Sequence, residues 1–192
     1  MTAGPADTVR ARVPAAALSP HHPMPDPART VPQPMYFEAP EYYRPQPADP
    51  PAVFLAGGIT GCSDWQAEAV KLLESDTEPL VILNPNREKF PSGDHLAAWE
   101  QVSWEQHHLH LADVTAFWFP ASDPSVTVQP IAMFELGQAL GENRPVVVGA
   151  DPGYPREADV HMLCELARPG MPVYSYLEHV VHDVLTVTCA MR

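Results

Sequence analysis

From residue 52 onward, short unbroken apolar runs alternate with longer segments of helical periodicity. The runs Ala52–Ala56, Leu80–Leu83, Val114–Phe119, Val146–Gly149 and Val173–Tyr176 are short and rich in β-branched and aromatic residues, as strands covered on both faces are. Between and after them, Asp64–Ser75, Trp99–Ala112, Gln129–Leu140, Asp159–Ala167 and Leu177–Ala190 read as helices. Ser63 or Asp64 caps the first of these, and Pro130 occupies the first turn of the third, where a missing N–H costs little. The long loop Asn84–Ala97 breaks the rhythm once. Strands alternating with helices predict an α/β domain over 52–192, a doubly wound five-stranded parallel sheet with helices on both faces. No internal repeat interrupts this pattern.

Two positions violate it. Between Pro130 and Leu140 only Glu135 and Gln138 are polar, which leaves Glu135 no solvated face. In the preceding helix, Ala98, Val102, Glu105, Leu109 and Ala112 form one stripe that Glu105 alone interrupts. A buried carboxylate is costly unless compensated. Each acid therefore either satisfies a buried arginine or a helix end, or works as one of a pair over the carboxyl edge of the sheet, where open α/β sheets place their sites. No basic residue on its own helix is available to Glu135.

Composition changes the picture at the amino end. Residues 1–51 hold 13 of the 24 prolines, show no period, and read as a disordered or extended arm. The aromatic end of this arm, Met35-Tyr36-Phe37 to Tyr42-Tyr43, is suited to pack on the domain or on a neighbouring subunit. The net charge of −13 without basic runs argues against nucleic-acid polymers and anionic membranes and favours a small-molecule partner. Three widely spaced cysteines make neither a disulfide framework nor a metal site. Together with the lack of a long apolar run or a leader pattern, they predict a cytoplasmic protein without cofactor or metal.

Other residues carry two readings each. Gly57-Gly58 closes the first strand, either as a plain tight turn or to admit a ligand against the backbone; GGITGC does not complete a dinucleotide fingerprint. Asn84, Asn86 and Arg87 open the long loop at a strand's carboxyl end, as turn residues or ligand contacts. Asp113 caps a turn or faces a ligand. His107, His108 and His110 point in different directions and read as a solvated face. Cys62 reads as a small inert thiol.

VFLAGGI at 53–59, Asp64-Trp65, Asn84-Pro85-Asn86-Arg87, VSWE at 102–105, Ala112-Asp113 and FELG at 134–137 together resemble the nucleoside 2-deoxyribosyltransferase family, in its broader and less characterised branch. The resemblance spans about residues 52–165 and implies a flavodoxin-like fold. It implies that Glu135 is the nucleophile, that Glu105 holds the sugar or base, and that Gly57, Gly58, Phe54 and Gln129 lie against substrate. Asp64, Asn84, Asn86, Arg87 and Asp113 join this substrate-binding set, and homo-oligomers are expected. Two positions depart from the family. Phe54 stands where a tyrosine hydroxyl often touches the nucleophile, and Gln129 where a base-binding aspartate is found. The implied activity is cleavage of the N-glycosidic bond of a nucleoside or nucleotide with transfer to another base. The alternatives are hydrolysis of a nucleoside 5′-monophosphate and nucleotide binding without catalysis.

Overall fold

Apolar runs too short for helices, flanked by amphipathic segments, lead to one layered result. The computed structural model describes residues 34–76, 78–86 and 95–192. The elements in chain order are β1 (Met35–Glu38), β2 (Ala52–Gly57), α1 (Trp65–Glu74), β3 (Val81–Asn84), α2 (His95–Leu111), β4 (Val114–Phe119), α3 (Pro130–Gly141), β5 (Val146–Ala150), α4 (Glu157–Ala167), β6 (Val173–Tyr174) and α5 (Leu177–Cys189). The sheet order is β1-β3-β2-β4-β5-β6, and every pairing is parallel. From β2 to β6 this is the flavodoxin-like order, in which the chain reverses direction across the sheet between the first and third strands. Here that switch point lies between β2 and β4.

Alternate side chains of the strands feed two cores. Val53 and Leu55 of β2 join Val114, Ala116 and Trp118 of β4 under α1 and α5. Phe54 and Ala56 join Phe117 and Phe119 on the other side, with Trp104 of α2, Leu136 of α3 and Cys164 of α4. No described helix is long and apolar enough to cross a membrane.

The sheet has six strands where five were expected. The extra one, β1, comes from the proline-rich stretch read as an arm. It pairs residue for residue with β3, from Met35 opposite Val81 to Glu38 opposite Asn84. The chain then folds inward, burying Ala39 and Tyr43 in the core. The prolines on either side obscure a four-residue strand that has little periodicity of its own. Its backbone bonds to an edge that would otherwise be unpaired outweigh weak local propensity.

Helix α2 is rotated from the expected orientation. Ala97, Trp104, His108 and Leu109 are buried, Gln101 and Glu105 half-buried, and Val102 exposed. The expected stripe put Ala98 and Val102 inside and left Trp104 out of account. A buried tryptophan removes about 150–250 Å² from water, which at about 25 cal/mol per Å² is worth roughly 4–6 kcal/mol. That exceeds what an alanine and a valine offer together. His108, expected on a solvated face, is carried inward with Trp104.

Asp113 sits in the turn between α2 and β4. Its carboxylate accepts the Ala52 N–H at 2.8 Å, and its own N–H donates to the Ala52 carbonyl at 2.9 Å. This clasp ties the amino ends of β2 and β4, the edge of the sheet opposite to the switch-point crevice. Asp113→Ala strips an acceptor from a backbone donor, and a loss of about 1–3 kcal/mol is expected in urea unfolding. Asp113→Asn, which keeps an acceptor oxygen, should lose less.

Candidate active site

The carboxyl ends of β2 and β4, with α2 and α3 behind them, enclose a cavity of about 200 Å³. Phe54, Gly57, Gly58, Glu105, Gln129 and Glu135 all line it. Strand β2 brings Phe54 and the glycines. Helix α2 brings Glu105, and the ten-residue connection from β4 to α3 brings Gln129 at its end, with Glu135 following on α3.

The two glycines are steric requirements. A Cβ on Gly57 would stand 2.0 Å from the Trp118 carbonyl oxygen, so only glycine allows β2 to pass β4 here. A Cβ on Gly58 would stand 2.5 Å from the Gln129 side-chain oxygen. The Trp65 indole N–H donates to the Gly58 carbonyl at 2.8 Å and fixes the turn to α1. Cys62 lies against Gly58, and burial pushes its thiol upward, away from thiolate reactivity.

Gln129 is the residue before α3 and adopts a left-handed backbone with φ of 51°. Its side-chain amide donates to the Pro120 carbonyl at 2.8 Å, and its backbone N–H donates to Thr127 Oγ1 at 3.0 Å. Tyr154 holds the same loop by donating its hydroxyl to the Val128 carbonyl at 2.8 Å. These bonds set the direction in which α3 enters the site.

Helix α3 is not buried all round, as expected, but amphipathic. Ile131 and Phe134 are 64% and 66% exposed, while Ala132, Glu135, Leu136 and Ala139 face inward. Glu135 is thus the one acid on the inward stripe, 6% exposed. No described hydrogen-bond donor reaches its carboxylate. Burial and the neighbouring Glu105 charge push its pKa to about 8, against the pull of Arg144. Glu105 accepts from the Gln101 amide at 2.7 Å, and the same Gln101 nitrogen donates to the Pro85 carbonyl at 2.7 Å. Glu105 is thereby oriented by Gln101, which is itself held to Pro85 on the cleft wall.

The remaining expected site residues lie elsewhere. Asp64 caps α1, accepting from the Ala67 N–H at 3.3 Å and from the Asn86 amide at 3.2 Å. Asn84 donates to the Tyr36 hydroxyl at 2.8 Å and accepts the Asn86 N–H at 3.0 Å. These three line a different groove with Tyr36 and Glu38. Asp113 is at the far edge, and Arg87 falls outside the described residues. The cleft also takes in Ile59, Thr60, Pro85, Thr127 and Ile131, which sequence reasoning passed over because none is an anomaly in its own segment. Among the described residues no cluster of His, Cys, Asp or Glu is arranged to hold a metal.

Residues 50–154 match the family model described as nucleoside 2-deoxyribosyltransferase like. The chain belongs to that family. The match takes in β2, both acids and every cleft residue named above. A conserved protein from Enterococcus faecalis V583, known from its crystal structure, is 16% identical, with a TM-score of 0.46 over 74% of this chain and 99% of its own. No curated protein matches the chain.

The Glu135 pKa fixes a stability trend. Because it is raised from 4.5 to about 8, the neutral acid is the form that the fold favours. Its contribution is whole below the unfolded value and is lost as pH rises through about 8. Glu135→Gln should therefore gain stability over the native chain as pH is raised, read as a widening gap in Tm. A gap independent of pH would contradict the shift.

Proposed function

We propose that the cleft binds a nucleoside or nucleotide and that Glu135 displaces its base at C1′. The observation that carries this reading is the placement of Glu135 and Glu105 in one small cavity beside a glycine turn. A carboxylate oxygen of Glu135 forms an ester bond to C1′ as the C1′–N bond breaks, and the electron pair leaves on the base nitrogen. Glu105 orients the sugar or passes a proton to the departing base. A ring nitrogen of a second base then attacks C1′, breaks the ester, loses its proton and regenerates the carboxylate. The transition state is oxocarbenium-like, as in retaining glycosidases. Positive charge developing at C1′ favours the ionised form of Glu135, which its surroundings otherwise resist. Phe54 supports the sugar by contact alone, since it has no hydroxyl to donate.

Gln129 favours a second reading, in which water accepts the sugar. Its side-chain nitrogen is committed to the Pro120 carbonyl, and an amide, which does not ionise, cannot shuttle a proton to or from a base as a carboxyl group does. Release of base from deoxynucleosides and nucleoside monophosphates, with and without a different free base, separates the two. A new nucleoside means transfer, and free sugar alone means hydrolysis. In either case Glu135→Gln should lower turnover by at least about 10³-fold. Near-normal turnover in that variant would remove Glu135 from the reaction, and binding without base release would leave a nucleotide-binding domain. The native kcat/KM should rise with pH through about 8 as Glu135 ionises.

A second copy of the chain is the partner that suits the surface beside the cleft. Leu96, Trp99 and Val102 on α2, and Ile131 and Phe134 on α3, are exposed on the two helices that supply the acids. Light scattering on the purified chain should give an oligomer that Phe134→Glu weakens. A native monomer would rule this out.

A further inference from the structure

His108 is fully buried on α2, outside the cleft and unused by the reaction. Its Nε2 accepts the backbone N–H of Tyr43 at 3.1 Å. A backbone N–H cannot accept, so Nε2 carries a lone pair, and Nδ1 carries the proton that it donates to the Trp104 carbonyl at 2.8 Å. The Trp104 ring lies 4.0 Å from the imidazole, with Tyr42 at 5.2 Å and His107 at 4.9 Å, centre to centre. The Trp104 indole N–H donates to the Glu41 carbonyl at 2.7 Å. Segment 39–43 is thus pinned to α2 by two hydrogen bonds, one of which needs a neutral histidine.

We propose that His108 is a protonation-sensitive latch that holds segment 39–43 on α2 while neutral and releases it on taking a second proton. Protonation at Nε2 sets an N–H against the Tyr43 N–H, leaving two buried donors and no acceptor. The groups facing the ring do not offset this. From α2 these are Trp104 and His107, whose charge opposes a second cation; Arg144, from the turn after α3, donates to the adjoining Leu109 carbonyl rather than to the ring. From the segment they are Tyr42 and Tyr43, the latter with its hydroxyl turned to Asp49 at 2.9 Å. No described carboxylate pairs with the imidazole. Burial holds His108 below the ordinary value of 6.5. The contact is therefore complete above that value and is lost as pH falls through the lowered one. Trp104 packs on Phe54 at 6.1 Å, and Glu105 is the next residue, so the latch bears on a wall of the cleft.

The test is hydrogen exchange by NMR on the full chain, expressed as protection factors, with imidazole ¹⁵N shifts to read the tautomer. His108 should show the Nδ1–H form at neutral pH. As pH is lowered below 6.5, the Tyr43 amide and the Trp104 indole N–H should lose about tenfold more protection than the core amide of Val148. Parallel loss at all three, which is global unfolding, or retention at Tyr43 would overturn the latch. In His108→Gln the amide oxygen still accepts, and Tyr43 protection should persist without the pH dependence. An unchanged dependence there would also overturn it. If that variant does not fold, the tautomer and the native exchange pattern decide. None of these readouts involves base release, so the latch and the proposed reaction fail separately.

Discussion

The passage of β2 across β4 at their carboxyl ends is the constraint on which the site depends. Gly57 lies opposite Trp118 in the parallel register, so close that any side chain would meet the partner's carbonyl. Beyond this point the chain leaves the two strands in different directions, toward α1 from β2 and toward α3 from β4. The crevice is the space left by that divergence. The glycine turn follows β2 directly, and the chain that returns after β4 brings Gln129 and then Glu135 of α3. Asp113 closes the other ends of the same two strands, so the pair is fixed at both edges and open only where a ligand can enter.

Within that frame the structure holds an acid in surroundings that disfavour its charged form. Leu136, Ala139 and Ala132 pack α3 onto the sheet, and Glu135 shares their stripe with no described donor on its carboxylate. Arg144 pulls toward ionisation but is itself held to the Leu109 carbonyl at 2.7 Å and to Glu142 at 3.0 Å. A second acid in the same cavity adds to the cost. A fold selected for stability alone would place glutamine or an apolar residue at 135. On the reaction proposed above, the cation developing at C1′ supplies the missing partner of Glu135 only at the transition state.

Much of this was legible in the amino-acid order. Strand and helix periods located the five central strands and all five helices within a few residues, because parallel strands are apolar throughout and alternate with helices. Glu135, Glu105, Gly57, Gly58, Gln129 and Phe54 do share one cleft. The acids stood out as polar residues in apolar segments and the glycines as a doublet at a strand end. Asp64, Asn84 and Asn86 did not reach the cleft, since an Asx residue at a strand or helix end satisfies backbone donors as readily as ligands. The face of α2 was misjudged because small apolar residues were weighted like a tryptophan. Strand β1 was missed because its pairing partner is remote in sequence.

That remoteness conceals a mechanical connection. Segment 39–43 lies more than fifty residues before α2 in the chain, in a proline-rich stretch without periodicity. Yet it contributes the carbonyl that fixes the Trp104 indole, at a separation of 63, and the N–H that fixes His108, at 65. Trp104 in turn backs Phe54, and Glu105 follows it. The position of the second acid is therefore set by two agencies. Gln101 and Pro85 hold its carboxylate from the cleft side, and the chain entering the sheet through β1 holds its helix from behind. A strand read from sequence as part of an arm is a support of the site. Its removal would act on the cleft through α2 without touching any residue that lines it.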